Sequence, residues 1–486
     1  MSSDMSNDRP NLVLIVSEDH GPHLGCYGDA NARTPRLDRL AAEGTRFDRH
    51  HTTCAICSPG RASILTGLYP HQNGQIDLAT HKYSMYRPFA NLATVLKENG
   101  YRTARLGKLH VLPEAAVPFD LVWNEPDYIS FGQRDVVETA RVARDFAAGA
   151  AADGEPFFVY ACFSDAHLPM HHQSHGAPAD PLRGEEVEPP DFCPIDAPHM
   201  RDRLAGYYNC LERLDEGVGR LLEAVTPDSG RETVVVFTTD HGQQFVRGKT
   251  TCYEGGLRVP LILHAPGRFG AGLVRDDLTS HVDILPTVLD ALDLPPVPGR
   301  PGLSLVPAAC GRPFAGREHV VGQWTGAPPN WHPQRSIRDA RYKLIVNYLP
   351  ERQHMGNRAY LYDEVWESSL DEADRAALPA DLRRALERAV QPPAEELYDL
   401  REDPQELENL AEDAAFDAVR AGLRAALEQW QEEHDDRLPR PEVLEALTDM
   451  HDRIRQKHYP DGFGKLPRDR DIRWTYDRWL DPGVPA

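Results

Sequence analysis

The sequence predicts an α/β protein in which a parallel sheet is flanked by helices on both faces, with a smaller C-terminal α+β domain. Three observations carry this. From Asn11 onward, short β-branched runs alternate with helix-like segments, the pattern of strands joined by crossover helices. The polar residues that stand out sit just past the ends of those runs, where open parallel sheets place their sites. At 486 residues the chain is also too long for one ordinary core, so a large domain needs a smaller companion.

The elements follow in order. Asn11 to Ser17 reads as the first strand. Thr34-Pro35 opens a helix with an N-cap and a proline at the first helical position, and Gly44 ends it after Leu37, Leu40 and Ala41. Leu92 to Asn99 is a second helix, stopped by Gly100. Strands are expected at Arg102 to Leu106, Phe157 to Phe163, Thr233 to Thr238 and Val259 to His264, and a helix over Leu204 to Val225. Gln173 to Ala197, dense in proline and acidic residues, reads as a surface insertion near the site. Between Pro295 and about Gly326 the alternation stops and Pro and Gly become frequent, so the chain is divided into 1–320 and 321–486. Beyond that point Tyr342 to Tyr348 and Glu396 to Leu400 read as strands, Glu367 to Val390 as charged helix interrupted at Pro379, and Phe416 to Glu433 as an amphipathic helix. The tail from Arg437 receives no assignment.

Composition narrows the class. With 41% hydrophobic and 26% charged residues the chain is a soluble globular protein rather than a disordered or fibrous one. Its net charge of −22, with no basic run, argues against nucleic acid and anionic membrane surfaces as partners. The apolar run Leu12 to Val16 is too short for a signal-peptide core or a membrane span, so a cytoplasmic enzyme is expected. The eight cysteines make no disulfide framework in that setting. Cys54 and Cys57 form a C-x-x-C pair, but no second pair lies at zinc-ligand spacing.

Cys57-Ser58-Pro59-Gly60-Arg61, followed by Ala62 to Gly67, places a cysteine at the mouth of a helix. A helix N-terminus favours anions, and Arg61 adds a fixed positive charge. The segment by itself is equally consistent with a capped helix carrying an ordinary thiol. Glu18-Asp19 ends the first strand and Asp240-His241 follows the strand that starts at Thr233. Taken together they offer a cage suited to a hard divalent cation, although each pair alone suits a solvated loop. Lys108 and His110, alternate residues after a strand, can face one cleft; His167 follows another strand, and Lys249 precedes Tyr253 to Pro260. Two lysines and two histidines at strand ends beside a metal pair make an anion-sized hole. His71, His81, His171, His172, Trp331, His332 and Arg335 read as loop residues that could line a pocket. Asp283 is expected to cap a helix and to have no catalytic role.

The C-x-P-x-R segment and its continuation Leu65 to Gly74, with His71-Gln72-Asn73-Gly74, resemble the sulfatase family, in which that cysteine is oxidised to formylglycine. The resemblance runs from Asn11 to about Glu433. It is strongest to the heparan N-sulfatase (sulfamidase) branch, through Pro333 to Ser336, Glu396 to Leu400 and Trp430-Gln431-x-x-His434. It implies an alkaline-phosphatase-like sheet, a divalent metal, calcium in the first instance, held by Glu18, Asp19, Cys57, Asp240 and His241, and a formylglycine-generating maturation enzyme as partner. The family's usual metal set has two Asp first and Asn last, where this chain has Glu18 and His241, and Gly60 stands where Ser or Ala is usual. The resemblance further implies that Arg61 and Lys108 orient a formylglycine hydrate, that His110 assists its collapse, and that His167 and Lys249 bind sulfuryl oxygens and serve the leaving group. The expected activity is hydrolysis of a sulfate ester or sulfamate on a small molecule or short glycan. A phosphatase or phosphonate monoester hydrolase on the same cage, and a non-catalytic binding protein on the same fold, are the alternatives. Oligomeric state is not legible.

Overall fold

A computed structural model describes residues 9–125, 134–226, 231–326, 330–362, 370–458, 472, 474–481 and 483. Its large sheet contains β1 (Asn11–Ser17), β2 (Thr45–His51), β3 (Arg102–Gly107), β4 (Leu121–Trp123), β5 (Phe157–Cys162), β6 (Thr233–Thr239), β7 (Arg258–His264), β8 (Leu273–Arg275) and β9 (Thr279–Ser280). The spatial order is β4-β3-β5-β1-β6-β7-β2-β8, with β9 also on β2. Every pairing is parallel except those of β7, which runs against both β6 and β2. The expectation of a parallel sheet is corrected there: residues 240–257 between β6 and β7 carry Asp240, His241 and Lys249 and only the short helix Glu254–Leu257, with no crossover helix to carry the chain back, so β7 returns antiparallel.

β1 lies at the centre, and its burial on both faces explains its unbroken apolar sequence. Val13 and Ile15 point into one core beneath the helices Pro35–Glu43, Val136–Ala152 and Pro198–Val225. Leu12, Leu14 and Val16 point into the other, with Cys57–Thr66, Leu92–Glu98 and Ile284–Ala291. Each such side chain contributes about 1.5–3 kcal/mol on full burial. That gain fixes which way β1 faces, because a one-residue slip would exchange the two cores.

A second, antiparallel sheet contains β10 (Val320–Trp324), β11 (Gln334–Arg338), β12 (Tyr342–Asn347) and β13 (Glu395–Asp399), in that order. One face packs Val321, Ile337, Leu344 and Leu397 against Leu423 and Leu427 of the helix Asp417–Glu433. The other packs Trp324, Ile345 and Tyr398 against Cys54, Ala55, Ile56, Cys252 and Tyr253. Gln323 N donates to Thr53 O at 2.8 Å, so the small sheet buttresses the segment that leads into Cys57.

The sequence reading passes over several elements. β2, with the sequence TRFDRHH, carries one large apolar residue and no alternating pattern, and β11 is mostly polar yet buried. The helix Val136–Ala152 has a cap in Asp135 and an apolar stripe through Ala143, Ala147 and Ala150. The unassigned tail forms the helix Pro441–His458, and Trp474 and Tyr476 stack with Tyr83. Residues 459–471, 473, 482 and 484–486 of that tail, and residues 367–369 of the expected charged helix, lie outside the described residues. The stretch Gln173 to Ala197 is not purely a surface insertion, since Leu182, Val187, Cys193 and Ile195 are buried in the core. Asp283 does not cap the helix Ile284–Ala291 with its side chain; its carboxylate accepts from Ser280 N and Leu303 N and pairs with Arg317.

Candidate active site

Two neighbouring strands bring the acidic pairs together. β1 and β6 run parallel with Ser17 opposite Thr239, so Glu18-Asp19 and Asp240-His241 leave the sheet side by side. Asp19 N donates to Asp240 Oδ1 at 3.2 Å, and His241 N donates to the same oxygen at 2.9 Å. All four residues are fully buried.

The helix Cys57–Thr66 is buried along its whole length, and Cys57 stands at its first position. A Cβ on Gly60 would lie 2.4 Å from Asp240 O and 3.1 Å from Thr52 Oγ1. Glycine at this position therefore lets the first helical turn press against the end of β6. The Cys57 Sγ lies 3.4 Å from His241 Nε2 and 4.0 Å from Asp19 Oδ1, and His241 Nε2 lies 2.9 Å from Asp19 Oδ1. Donor atoms of Asp19, Cys57, Asp240 and His241 all fall within 4.8 Å of one another.

Fixed cations surround this cage. Arg61 donates from Nε to Asp240 Oδ2 at 3.0 Å and from Nη2 to Glu18 Oε1 at 3.1 Å. Lys108 Nζ pairs with the same Glu18 oxygen, and Lys249 Nζ donates to Asp19 Oδ2 at 2.7 Å. Burial works against the charge on Asp19, but Lys249, His241 and His167 outweigh it and hold the carboxyl well below its ordinary range. Asp240 is lowered to about 2, where His241 and Arg61 overcome its burial. Burial likewise disfavours the His241 cation, yet Asp240, Asp19 and Cys57 raise its pKa to about 10. Glu18 moves the other way: burial raises its pKa despite Lys108 and Arg61.

His110 and His167 complete the ring. Burial, reinforced by the charges of Lys108, Arg61, His167 and Lys249, holds His110 well below the usual histidine range. His167 is lowered to about 3, chiefly by burial. Its Nδ1 lies 2.7 Å from Leu168 O; a carbonyl only accepts, so Nδ1 carries the proton.

The donor set fits a cation. Two carboxylate oxygens and an imidazole nitrogen converge, and Glu18 Oε2 is buried without a hydrogen-bond partner. Four of the five sequence-predicted ligands, Asp19, Cys57, Asp240 and His241, thus meet at one end of the sheet, with Glu18 set back among Arg61 and Lys108.

The pocket-lining expectation is corrected for several residues. Arg335 is on a strand and buried, clasped by Asp436 at 2.6 and 3.0 Å. His71 is buried in the short helix Pro70–Asn73, against His434 O and Gln323. Trp331 stacks on His451 and donates to Thr448. Conversely, Asp165, Arg134, Arg213, Gln244 and Tyr360 were not singled out for the site. Gln244 Oε1 accepts from Leu168 N beside His167. Arg213 was detectable in principle, since it interrupts the apolar stripe of its helix between Leu211 and Leu214. Tyr360 comes from the helix Met355–Tyr362, and nothing in the sequence near Lys249 points to it.

Comparison with known proteins follows the same lines. The sulfatase family model matches residues 10–294. The chain is similar to N-sulphoglucosamine sulphohydrolase of Homo sapiens, 30% identical over 476 residues covering 90% of this chain and 93% of the relative. Two solved structures share the fold. One is a protein in complex with its substrate D-glucosamine-2-N,6-O-disulfate, with a TM-score of 0.63, 20% identity, and coverage of 89% of this chain and 99% of that one. The other is the phosphonate monoester hydrolase of Agrobacterium radiobacter, with a TM-score of 0.64, 22% identity, and coverage of 88% and 96%.

Proposed function

Because this chain belongs to the sulfatase family and is a hydrolase of sulfuric esters or sulfamates, we propose that it acts on a small sulfated molecule or the end residue of a short sulfated glycan, with N-sulfoglucosamine the first compound to try. The observation that carries the chemistry is the meeting of Cys57 with Asp19, Asp240 and His241 inside a ring of cations. The human relative, named for N-sulphoglucosamine, supports the sugar. The charge of −22 supports the size, since a long polyanion would be repelled and no basic track offsets it.

Converted to formylglycine by a maturation enzyme, Cys57 would supply a geminal diol, one hydroxyl to attack sulfur and the other to let the residue release sulfate. A divalent cation held by Asp19, Asp240 and His241, with Glu18 behind them, would supply Lewis acidity. The other residues bind, orient and move protons. Lys108 and Lys249, both in the field of the Cys57 thiol, would bind the anionic head of the substrate. Arg61 holds Asp240 and Glu18 in position from beneath. His110 is kept neutral by its burial and its cationic neighbours, which suits it to accept a proton from the converted residue. His167 offers Nε2 toward the leaving group, and the arriving anion opposes the lysines that disfavour its charged form. The division at 320/321 and a cytoplasmic setting belong to the same reading.

Turnover measured side by side on N-sulfoglucosamine, its O-sulfated isomers, a simple alkyl sulfate, a phosphate monoester, a phosphonate monoester and polymeric heparan sulfate tests it. The highest kcat/KM is expected on a small sulfated compound. Preference for the polymer overturns the size argument, and preference for either phosphorus ester gives the site to the rival chemistry.

A further inference from the structure

We propose that the cage selects a first-row transition ion of the Mn2+ class over Ca2+, an inference that rests on the metal-assisted reading above and departs from the calcium that the sequence resemblance implies. The argument is a count of available donors. Asp19 Oδ2 is held by Lys249 at 2.7 Å and Asp240 Oδ2 by Arg61 at 3.0 Å, and Asp240 Oδ1 also accepts from Asp19 N and His241 N, so each carboxylate has at most one oxygen to give a cation. Neither carboxylate can turn bidentate without breaking a buried ion pair. Glu18 has given Oε1 to Arg61 and Lys108, so Oε2 is all it can add.

The remaining donor is a nitrogen. His241 Nδ1 lies 2.9 Å from Gly242 O, a carbonyl that only accepts, so the ring's other proton position, Nε2, is the one a cation displaces. That atom is 2.9 Å from Asp19 Oδ1 and 3.4 Å from the Cys57 Sγ, at the centre of the cage. Ca2+ takes six to eight oxygens and often uses bidentate carboxylates, whereas imidazole with a few monodentate carboxylates suits four- to six-coordinate transition ions. The protein offers an imidazole, two single oxygens, Cys57 and at most one more oxygen from Glu18. Low donor number and the nitrogen point to the same class of ion.

The test uses the full chain stripped by chelator, with MnCl2 and CaCl2 as competing probes. Bound metal is read by equilibrium dialysis with elemental analysis and by loss of the free Mn2+ electron-paramagnetic-resonance signal. Mn2+ is expected to bind at least about tenfold more tightly than Ca2+, and His241→Asn, which restores an oxygen donor, should reduce that preference by about tenfold or more. Wild-type protein that binds Ca2+ as tightly as Mn2+ overturns the proposal whether or not the variant folds, as does unchanged preference in a folded His241→Asn. If Ca2+ wins and the calcium-loaded enzyme turns over sulfate esters, the ion choice fails and the sulfatase reading stands. If neither ion binds, the ion choice and the metal-assisted reading fall together.

Discussion

Arg213 clasps Asp165 through two parallel hydrogen bonds, Nε to Oδ2 at 2.9 Å and Nη2 to Oδ1 at 2.6 Å, with both side chains fully buried. Arg134 approaches the same carboxylate at 3.4 Å and donates from Nη2 to His167 O at 2.8 Å. The backbone of this loop is tied to the metal-side strand end, Glu18 N to Asp165 O and Ala166 N to Glu18 O. Asp165 and its arginines are therefore positioning residues for His167, two places further on.

Loosening that clasp should act on His167. Asp165→Asn keeps the shape and removes the charge, leaving two buried guanidinium groups under-neutralised, a change that costs several kcal/mol when a buried pair is broken. A slow sugar sulfate needs a proton on its leaving group and an activated aryl sulfate does not, so kcat should fall at least about tenfold further on the former. Equal losses on both would reduce Asp165 to a purely structural role.

In active protein Cys57 should be found as formylglycine, with the active-site peptide about 18 Da lighter than the cysteine form by mass spectrometry. Intact cysteine in fully active enzyme would sink this. Cys57→Ala and Cys57→Ser should fold, since the thiol's contacts, to Asp19 and His241, lie within the cage and not in the helix scaffold, and both should lose nearly all turnover.

Gly60→Ala, or Gly60→Ser to restore the residue usual in the family, should do harm here. The added Cβ meets the backbone carbonyl of Asp240 at 2.4 Å, and backbone cannot swing aside as a side chain can. Overpacking of this kind costs about 1–3 kcal/mol, and the strain falls on the end of β6 that carries Asp240 and His241. A lowered melting temperature together with weaker divalent-ion binding is expected; wild-type values for both would refute the packing argument.

Asp215 provides a pH test. Its carboxylate, on the helix Pro198–Val225, accepts from Leu37 N at 2.7 Å and Arg36 N at 3.0 Å, capping the helix Pro35–Glu43 in place of Thr34. Burial raises its pKa from 3.8 to about 6 even so. A carboxyl raised on folding favours the folded state fully below its unfolded pKa, and that contribution is lost as pH rises from 3.8 through about 6. The shift corresponds to an energy on the order of 3 kcal/mol. Asp215→Asn keeps the accepting oxygen and cannot titrate. Urea melts should show the variant gaining on wild type between about pH 4 and pH 7, and parallel pH profiles would reject the assignment.

The sequence by itself determined the central strands and the family. β1, β5 and β6 are buried on both faces, so their apolar runs could be read locally, and the ends of β1 and β6 announced Glu18-Asp19 and Asp240-His241 directly afterwards. The Cys57 motif likewise lies within a few consecutive residues, a spacing the chain keeps whatever its fold. Tertiary structure decided the rest. Only the parallel register of β1 and β6 shows that Asp19 and Asp240 each have one oxygen to give, because Lys249 and Arg61 claim the others from segments remote in the chain. Only packing shows that Arg335 and His71 are buried supports rather than pocket residues, and that Gly60 answers to a carbonyl 180 residues away. Local pattern records which face of an element is apolar. Which atoms of a polar residue are already engaged is set by long-range packing, and the chemistry left to the site depends on that.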